Sequence, residues 1–193
     1  MLMKKQLKFF LGFYLAFLVI GVSCNSLIDD CGPFPDKFSV VSIEWDAPNV
    51  NSTQYQNYAI NIRPTATYFF SRRNSFSLIP QSYACSPIPP ETDDRLLNIE
   101  ITTNEDYSPL YTQGTNLIDL FDVDVSYYRT DERETYSLNQ FLSSDRKFPD
   151  DMILRLNAPP ANAASFSFII KIYIDGTELD YYEFNTDTVQ ITP

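Results

Sequence analysis

Residues 165–174, SFSFIIKIYI, carry a large apolar side chain at every second position from Phe166 to Ile174. Successive side chains of an extended strand point to opposite sides of a sheet, so Phe166, Phe168, Ile170, Ile172 and Ile174 share one face. Ile169 and Tyr173 make the other face partly apolar as well, which suits a central strand rather than a solvated one. A period of two gives a helix no continuous apolar stripe, so this stretch commits the chain to a sheet.

The same period recurs along the chain. Residues 38–46 place Val41, Ile43 and Trp45 on one face, and residues 56–63 do so with Tyr58, Ile60 and Ile62. Pro64 ends that second strand or puts it at a sheet edge, because proline has no N–H to give to a ladder. Segments 67–70 and 75–79 read as strands around the polar turn 71–74, whose Arg72 and Arg73 form a basic loop tip. Residues 80–94 contain Pro80, Pro87, Pro89 and Pro90 and read as a surface crossover.

In 97–103, Ile99 and Ile101 point inward. A single helical turn capped by Thr115 is predicted over 115–121. Residues 121–127 then set Phe121, Val123, Val125 and Tyr127 against Asp122, Asp124 and Ser126, a strand with an acidic outer face. Residues 129–134 read as a charged turn. Ser137 caps a short helix carrying Leu138, Phe141 and Leu142. Strands follow at 152–156, at 165–174, at 178–185 after a type I′ turn at Asp175-Gly176, and at 189–192.

Many short strands, Pro- and Asn-rich turns and little β-α-β order predict a mainly β domain. The expected architecture is an antiparallel two-sheet sandwich, loosely immunoglobulin-like, with one or two short helices; a β-barrel is the alternative. The spacing of Cys31, Trp45 and Cys85 departs from the antibody-type pattern, because Cys31 precedes the first clear strand.

The chain begins MLMKKQLKFFLGFYLAFLVIGVSC. Lys4, Lys5 and Lys8 form a basic region, and an apolar run from Phe9 to Val22 follows, shorter than the roughly 20 residues a spanning helix needs. Small residues then lead into Cys24. A short apolar run closing on a cysteine resembles the lipobox of bacterial lipoproteins, where cleavage precedes a cysteine that carries acyl chains. Gly21 stands where that pattern usually has leucine. Ordinary signal-peptide cleavage nearby and an uncleaved anchor are the other two readings, and the last would have to use residues as polar as Ser23 and Asn25. The resulting organisation is a lipoprotein signal peptide at 1–23, a lipidated cysteine and short tether at 24–37, and one domain at 38–193. More than one acyl chain would hold the protein stably, since each buried methylene contributes about 0.8 kcal/mol and a single chain is marginal.

The chain carries 25 acidic and 14 basic side chains, for a net charge of −11. Losing the three leader lysines makes the remainder more acidic still. Such a surface repels nucleic acid and is soluble by simple solvation. With Cys24 acylated, Cys31 and Cys85 remain, and an even pair in an exported chain reads as a disulfide. Closing that loop would stabilise the fold by about 4 kcal/mol in the chain-entropy model. Two free buried thiols are the other reading.

The search for chemistry turns up few candidates. With 0 histidines, the chain lacks the Ser-His and Cys-His nucleophile systems, the usual zinc ligands and the commonest general base. Only 5 glycines are present, and none builds a phosphate loop. No cofactor and no catalytic residue are expected. Calcium is the one metal considered, with Asp119, Asp122 and Asp124 as oxygen donors, or Asp150 and Asp151 near a turn; a solvated strand face explains the first three as well. The adjacent pairs Tyr127-Tyr128 and Tyr181-Tyr182 each place one ring on either side of a sheet. Tyr107 and Tyr111, in a loop, are candidate ligand-facing aromatics for a sugar or a protein partner, with β-propensity as the plain explanation for so many tyrosines.

Asp29 and Asp30 after Cys24, Cys31-Gly32-Pro33-Phe34, and the ending FSFIIKIYIDGTEL at 166–179 together resemble Bacteroidota envelope lipoproteins of unknown function. The resemblance implies a lipid-anchored place in the cell envelope, at the periplasmic face of the outer membrane or the cell surface, and a β-rich domain. It carries over no catalytic residue. The function expected is a non-catalytic envelope lipoprotein acting as a binding module for a protein or glycan. A structural or assembly subunit of a surface structure is the alternative. A glycoside hydrolase built on two facing carboxylates ranks below both.

Overall fold

The computed structural model describes residues 37–48, 50–69, 90–127 and 130–193, with 130–132 described by backbone alone. They belong to one compact unit, 35–73 together with 89–193. The leader, Cys24, Cys31, Cys85, Arg72, Arg73, Tyr128 and the strand expected at 75–79 lie outside the described residues.

The described residues form twelve strands in three sheets. In order they are β1 (Lys37–Asp46), β2 (Ser52–Gln54), β3 (Ala59–Phe69), β4 (Glu91–Thr92), β5 (Arg95–Thr103), β6 (Phe121–Tyr127), β7 (Thr130–Ser137), β8 (Asp151–Leu156), β9 (Ala164–Phe166), β10 (Phe168–Asp175), β11 (Tyr181–Asn185) and β12 (Val189–Thr192). The large sheet runs β4-β1-β3-β8-β6-β7 and the small sheets run β11-β10-β5 and β2-β12-β9. Pairing is antiparallel except at the short β1–β4 and β12–β2 contacts. The architecture is therefore mainly β and sandwich-like with few helices, as the alternation predicts. Among the described residues the large sheet ends in β4 and β7 rather than closing into a barrel.

The inward faces meet in one apolar cluster. Ile60, Ile62, Val123, Val125, Met152 and Leu154 of the large sheet and Ile99, Ile101, Ile170 and Ile172 of the β11-β10-β5 sheet are all fully buried. Each such side chain contributes roughly 1.5–3 kcal/mol over its exposed state.

The long apolar run at 165–174 is two strands, not one. The chain leaves β9 and enters β10 at Ser167, passing from one small sheet to the other. Asn104 holds the switch: its side chain accepts the Ser167 N–H at 2.7 Å, and its own N–H donates to the Ser167 carbonyl at 3.3 Å. The alternation is uninterrupted because Phe166 and Phe168 both remain buried across the switch.

Several local expectations are corrected. In β1 a bulge falls at Val41, so Phe38 and Val40 are buried before it and Ile43 after it; the extra residue reverses the phase of the alternation. β3 runs through Pro64 to Phe69 instead of splitting in two. Pro64 lies past Ile62, the last residue paired with β8, so β3 has only β1 as a partner there and the missing N–H is tolerated at that edge. The charged turn expected at 129–134 is largely β7, paired with β6 as a sheet edge, a position that favours charge. The turn before β6 is a 3-10 turn over Ile118–Leu120 with no side-chain cap; Thr115 instead meets the Thr112 hydroxyl at 3.2 Å. The helix at Leu138–Leu142, α1, forms as expected, with Ser137 Oγ accepting the Gln140 N–H.

The β10–β11 connection is not a type I′ turn, since Gly114 is the only positive-φ residue among those described. A five-residue connection relieves the backbone of that requirement, and Asp180 closes it by accepting the Ile174 N–H at 2.9 Å. Gly176 is needed there for a different reason: a Cβ would stand 2.7 Å from the Leu179 carbonyl oxygen.

Candidate functional site

The outward faces of the two main sheets differ in kind. On the large sheet, carboxylates and guanidinium groups neutralise one another. Arg155 Nε donates to Asp124 at 2.7 Å, Thr135 donates to the same carboxylate at 2.7 Å, and Asp151 receives both Arg63, at 3.1 Å, and Arg133. The Asp124 and Asp151 side chains are only 15% exposed. Arg155 and the Thr135 hydroxyl hold the Asp124 carboxyl below the usual carboxylate range, against the opposing effect of its partial burial. This is a solvated, self-satisfied surface.

The outer face of β11-β10-β5 carries a pair of tyrosine rings, whereas the exposed aromatics of the large sheet, Tyr68 and Phe69, lie together at the end of β3. Register fixes three rows across it: Tyr181, Tyr173 and Asn98; Glu183, Lys171 and Glu100; Asn185, Ile169 and Thr102. A bulge in β5 between the partners of Tyr173 and Ile174 leaves Leu97 unpaired beside the first row, 56% exposed. The Tyr173 and Tyr181 rings lie 5.3 Å apart, tilted by 52°. Tyr173 donates to Glu100 at 3.3 Å, and Tyr181 donates to Glu183 two residues along its own strand. The hydrogen bond to Glu183, then desolvation, pushes the Tyr181 phenol up to about 12; partial desolvation and the charge of Glu100 raise Tyr173. Both rings are thus pinned at their hydroxyls, with their faces carried on the sheet.

The aromatics expected to face a ligand are elsewhere. Tyr107 is 1% exposed, its ring tilted on Phe166 at 5.2 Å and its hydroxyl donating to the Ala158 carbonyl at 2.7 Å. Burial raises its phenol well above the ordinary value. It is a core residue, because the loop that carries it folds down onto β9 rather than out into solvent. Tyr111 is half-buried against the same core, its carbonyl accepting the Tyr107 N–H at 2.9 Å. Asp119, Asp122 and Asp124 do not converge. Asp119 accepts from Asn139 at 3.0 Å and Asp122 from Asn157 at 3.1 Å, while Asp124 is held by Arg155. Among the described residues no group of three or more acidic or thiol side chains comes together.

A cleft of about 270 Å3 lies beside β4, floored by Phe38, Thr92 and Phe148, with the Glu91–Lys147 ion pair at 3.0 Å on its wall. Asp94 is the only buried carboxylate among the described residues. Its oxygens take backbone N–H groups of Val40 and Thr177.

Sequence reasoning passed over Glu100, Lys171 and Glu183. The signal was available in the outward positions of the clearest strand: Ile169, Lys171 and Tyr173 are apolar or aromatic at two of three places where a solvated face would be polar. Neither a family model nor a curated protein nor a solved structure matches this chain.

Proposed function

We propose that this chain is a lipid-anchored, non-catalytic binding module of a bacterial cell envelope, held by an acylated Cys24 and engaging its partner through the outer face of the β11-β10-β5 sheet. The observation that carries the reading is the pinned pair Tyr173–Tyr181, set on one outer face while the other is neutralised by ion pairs. The leader and Cys24 supply the address, and the acidic balance keeps the domain off anionic surfaces. Intact-mass analysis of the native protein tests the anchor, with acyl chains expected on an N-terminal Cys24. Retention of the detergent-extracted protein on isolated envelope fractions tests the face, and Tyr181→Ala is expected to weaken it. An unprocessed leader, or retention indifferent to Tyr181, would sink the respective half.

A second reading, a subunit of a surface assembly, draws on β11 itself. Among the described residues its outer edge has no strand partner, and a five-residue edge with tyrosines at its start can accept an added strand. Concentration-dependent oligomers by light scattering, abolished by a proline placed in β11, would favour it.

A further inference from the structure

We infer that the outer face of the β11-β10-β5 sheet takes a neutral linear oligosaccharide, stacked on Tyr173 and Tyr181 and hydrogen-bonded along the Glu183–Lys171–Glu100 row. The inference rests on the binding reading above and names its ligand class.

Size decides first between a glycan and a protein. Strands lie about 4.8 Å apart and outward rows about 6.8 Å apart, so three rows on three strands make a face of roughly 10 by 14 Å. A stable protein interface takes about 800 Å2 from each partner, several times that area. Among the described residues the exposed large apolar side chains on this face are Leu97 and Tyr181, too few for the dry centre such an interface needs. A short oligosaccharide fits the dimensions.

Charge decides next. The middle row holds two carboxylates and one ammonium, with Lys171 opposite Glu100 on one side and Glu183 on the other. An acidic glycan would meet both carboxylates in a chain of net charge −11. A cationic ligand would meet Lys171 at the centre. A neutral polyol meets acceptors and a donor side by side, which suits hydroxyls that both donate and accept. Lys171 is free to serve: among the described residues no carboxylate lies within 4.0 Å of it, because Glu100 and Glu183 turn to the tyrosine hydroxyls.

Preorganisation completes the case. A pyranose presents a C–H face to an aromatic ring, and such stacking needs the ring held still. Tyr173 and Tyr181 are fixed at both ends, by the strand backbone and by the phenol hydrogen bonds, so little side-chain freedom remains to be lost on binding.

The test is titration calorimetry of the full native protein in detergent micelles. The probes are maltohexaose, cellohexaose and mannohexaose, with oligogalacturonate and a chitosan oligomer as charged comparisons. A neutral hexamer is expected to bind, with Tyr173→Ala and Tyr181→Ala each lowering affinity at least tenfold and Lys171→Ala about threefold. Tyr181→Phe, which keeps the ring and loses the Glu183 bond, is expected to lose far less. Thermal unfolding of every variant separates lost binding from lost folding. Binding of a charged oligomer alone, or neutral binding indifferent to both tyrosines, overturns the assignment. If no neutral hexamer binds and Tyr181→Ala still weakens retention on envelope fractions, the ligand class is wrong and the binding face stands. If neither responds, both fall.

Discussion

The Asp94 carboxylate accepts the Val40 N–H through Oδ2 at 2.6 Å, joining residues 54 apart in the chain. Its other oxygen takes the Thr177 N–H at 3.4 Å, and its backbone carbonyl takes the Phe148 N–H at 2.9 Å. Thr92 Oγ1 in turn accepts the Asp94 N–H at 3.0 Å. One buried acid thus ties β1 of the large sheet to the β10–β11 connection of a small one.

Removing that acid leaves two backbone donors without it. Hydrogen bonds to a charged group contribute about 1.5–3 kcal/mol, and a stranded buried donor costs about 1–3 kcal/mol. Asp94→Ala is expected to lower unfolding stability by about 2–4 kcal/mol, and Asp94→Asn by about half of that, since its amide nitrogen cannot accept. Urea unfolding with an unchanged m-value measures both. A loss below about 0.5 kcal/mol for Asp94→Ala would show that water replaces the carboxylate without penalty.

Tyr58 makes the opposite case. Its ring is fully buried, packed on Phe168 at 5.3 Å, and among the described residues no group meets its hydroxyl in hydrogen-bond geometry. Thr186 is near enough to lower the phenol pKa slightly, but its Oγ1 accepts the Phe168 N–H at 2.9 Å. Tyr58→Phe therefore deletes a desolvated polar atom and keeps the ring. It is expected to leave stability unchanged or raise it by about 1 kcal/mol. A clear loss on thermal or urea unfolding would show that the hydroxyl is satisfied in solution.

Alkali should find the same residue. Burial pushes the Tyr58 phenol up to about 12 and raises Tyr107 further, whereas an unfolded tyrosine titrates near 10. Between those values the folded chain holds more protons than the unfolded one, so stability falls as pH rises. It is present in full below about pH 10, and Tyr58 alone accounts for about 1 kcal/mol lost by pH 11. Unfolding midpoints from pH 8 to 11.5 measure the slope, which Tyr58→Phe should make shallower. A stability flat across that range would contradict the burial of both phenols.

How far the fold could be read in advance depended on whether one strand's own pattern decided the matter. The alternation in β6, β8 and β10 is local, so the inward sets Val123 and Val125, Met152 and Leu154, and Ile170 and Ile172 could be assigned by parity alone. The bulge at Val41 could not, because its cause lies in pairing with β3. Nor could the strand character of β7, which is an edge that charge suits. Tyr107 sits among Asp106, Ser108 and Pro109 and reads as a loop tip; only the approach of Phe166 and the Ala158 carbonyl buries it. The candidate face failed for a related reason. Leu97 is distant in sequence from Tyr173 and Tyr181, and it joins them only through the β5–β10 register and its bulge, which no single strand specifies.

Gly176 offers the sharpest test of the β10–β11 connection. The residue does not use positive φ, so an alanine there faces no intrinsic backbone penalty. Space is the constraint: the added Cβ would stand 2.7 Å from the Leu179 carbonyl oxygen, 3.3 Å from Ile174 and 3.4 Å from the Asp94 carboxyl carbon. The closest of these is backbone, which cannot swing aside as a side-chain tip can. Relief requires the connection to move, and Thr177, whose N–H reaches Asp94, moves with it. Gly176→Ala is expected to cost about 1–3 kcal/mol through overpacking, against the slight gain that Gly→Ala gives at an open site. Because the strain and the Asp94 contact share one loop, Gly176→Ala combined with Asp94→Ala should cost less than the two losses added. Strict additivity in that cycle would mean the connection and the buried acid are independent.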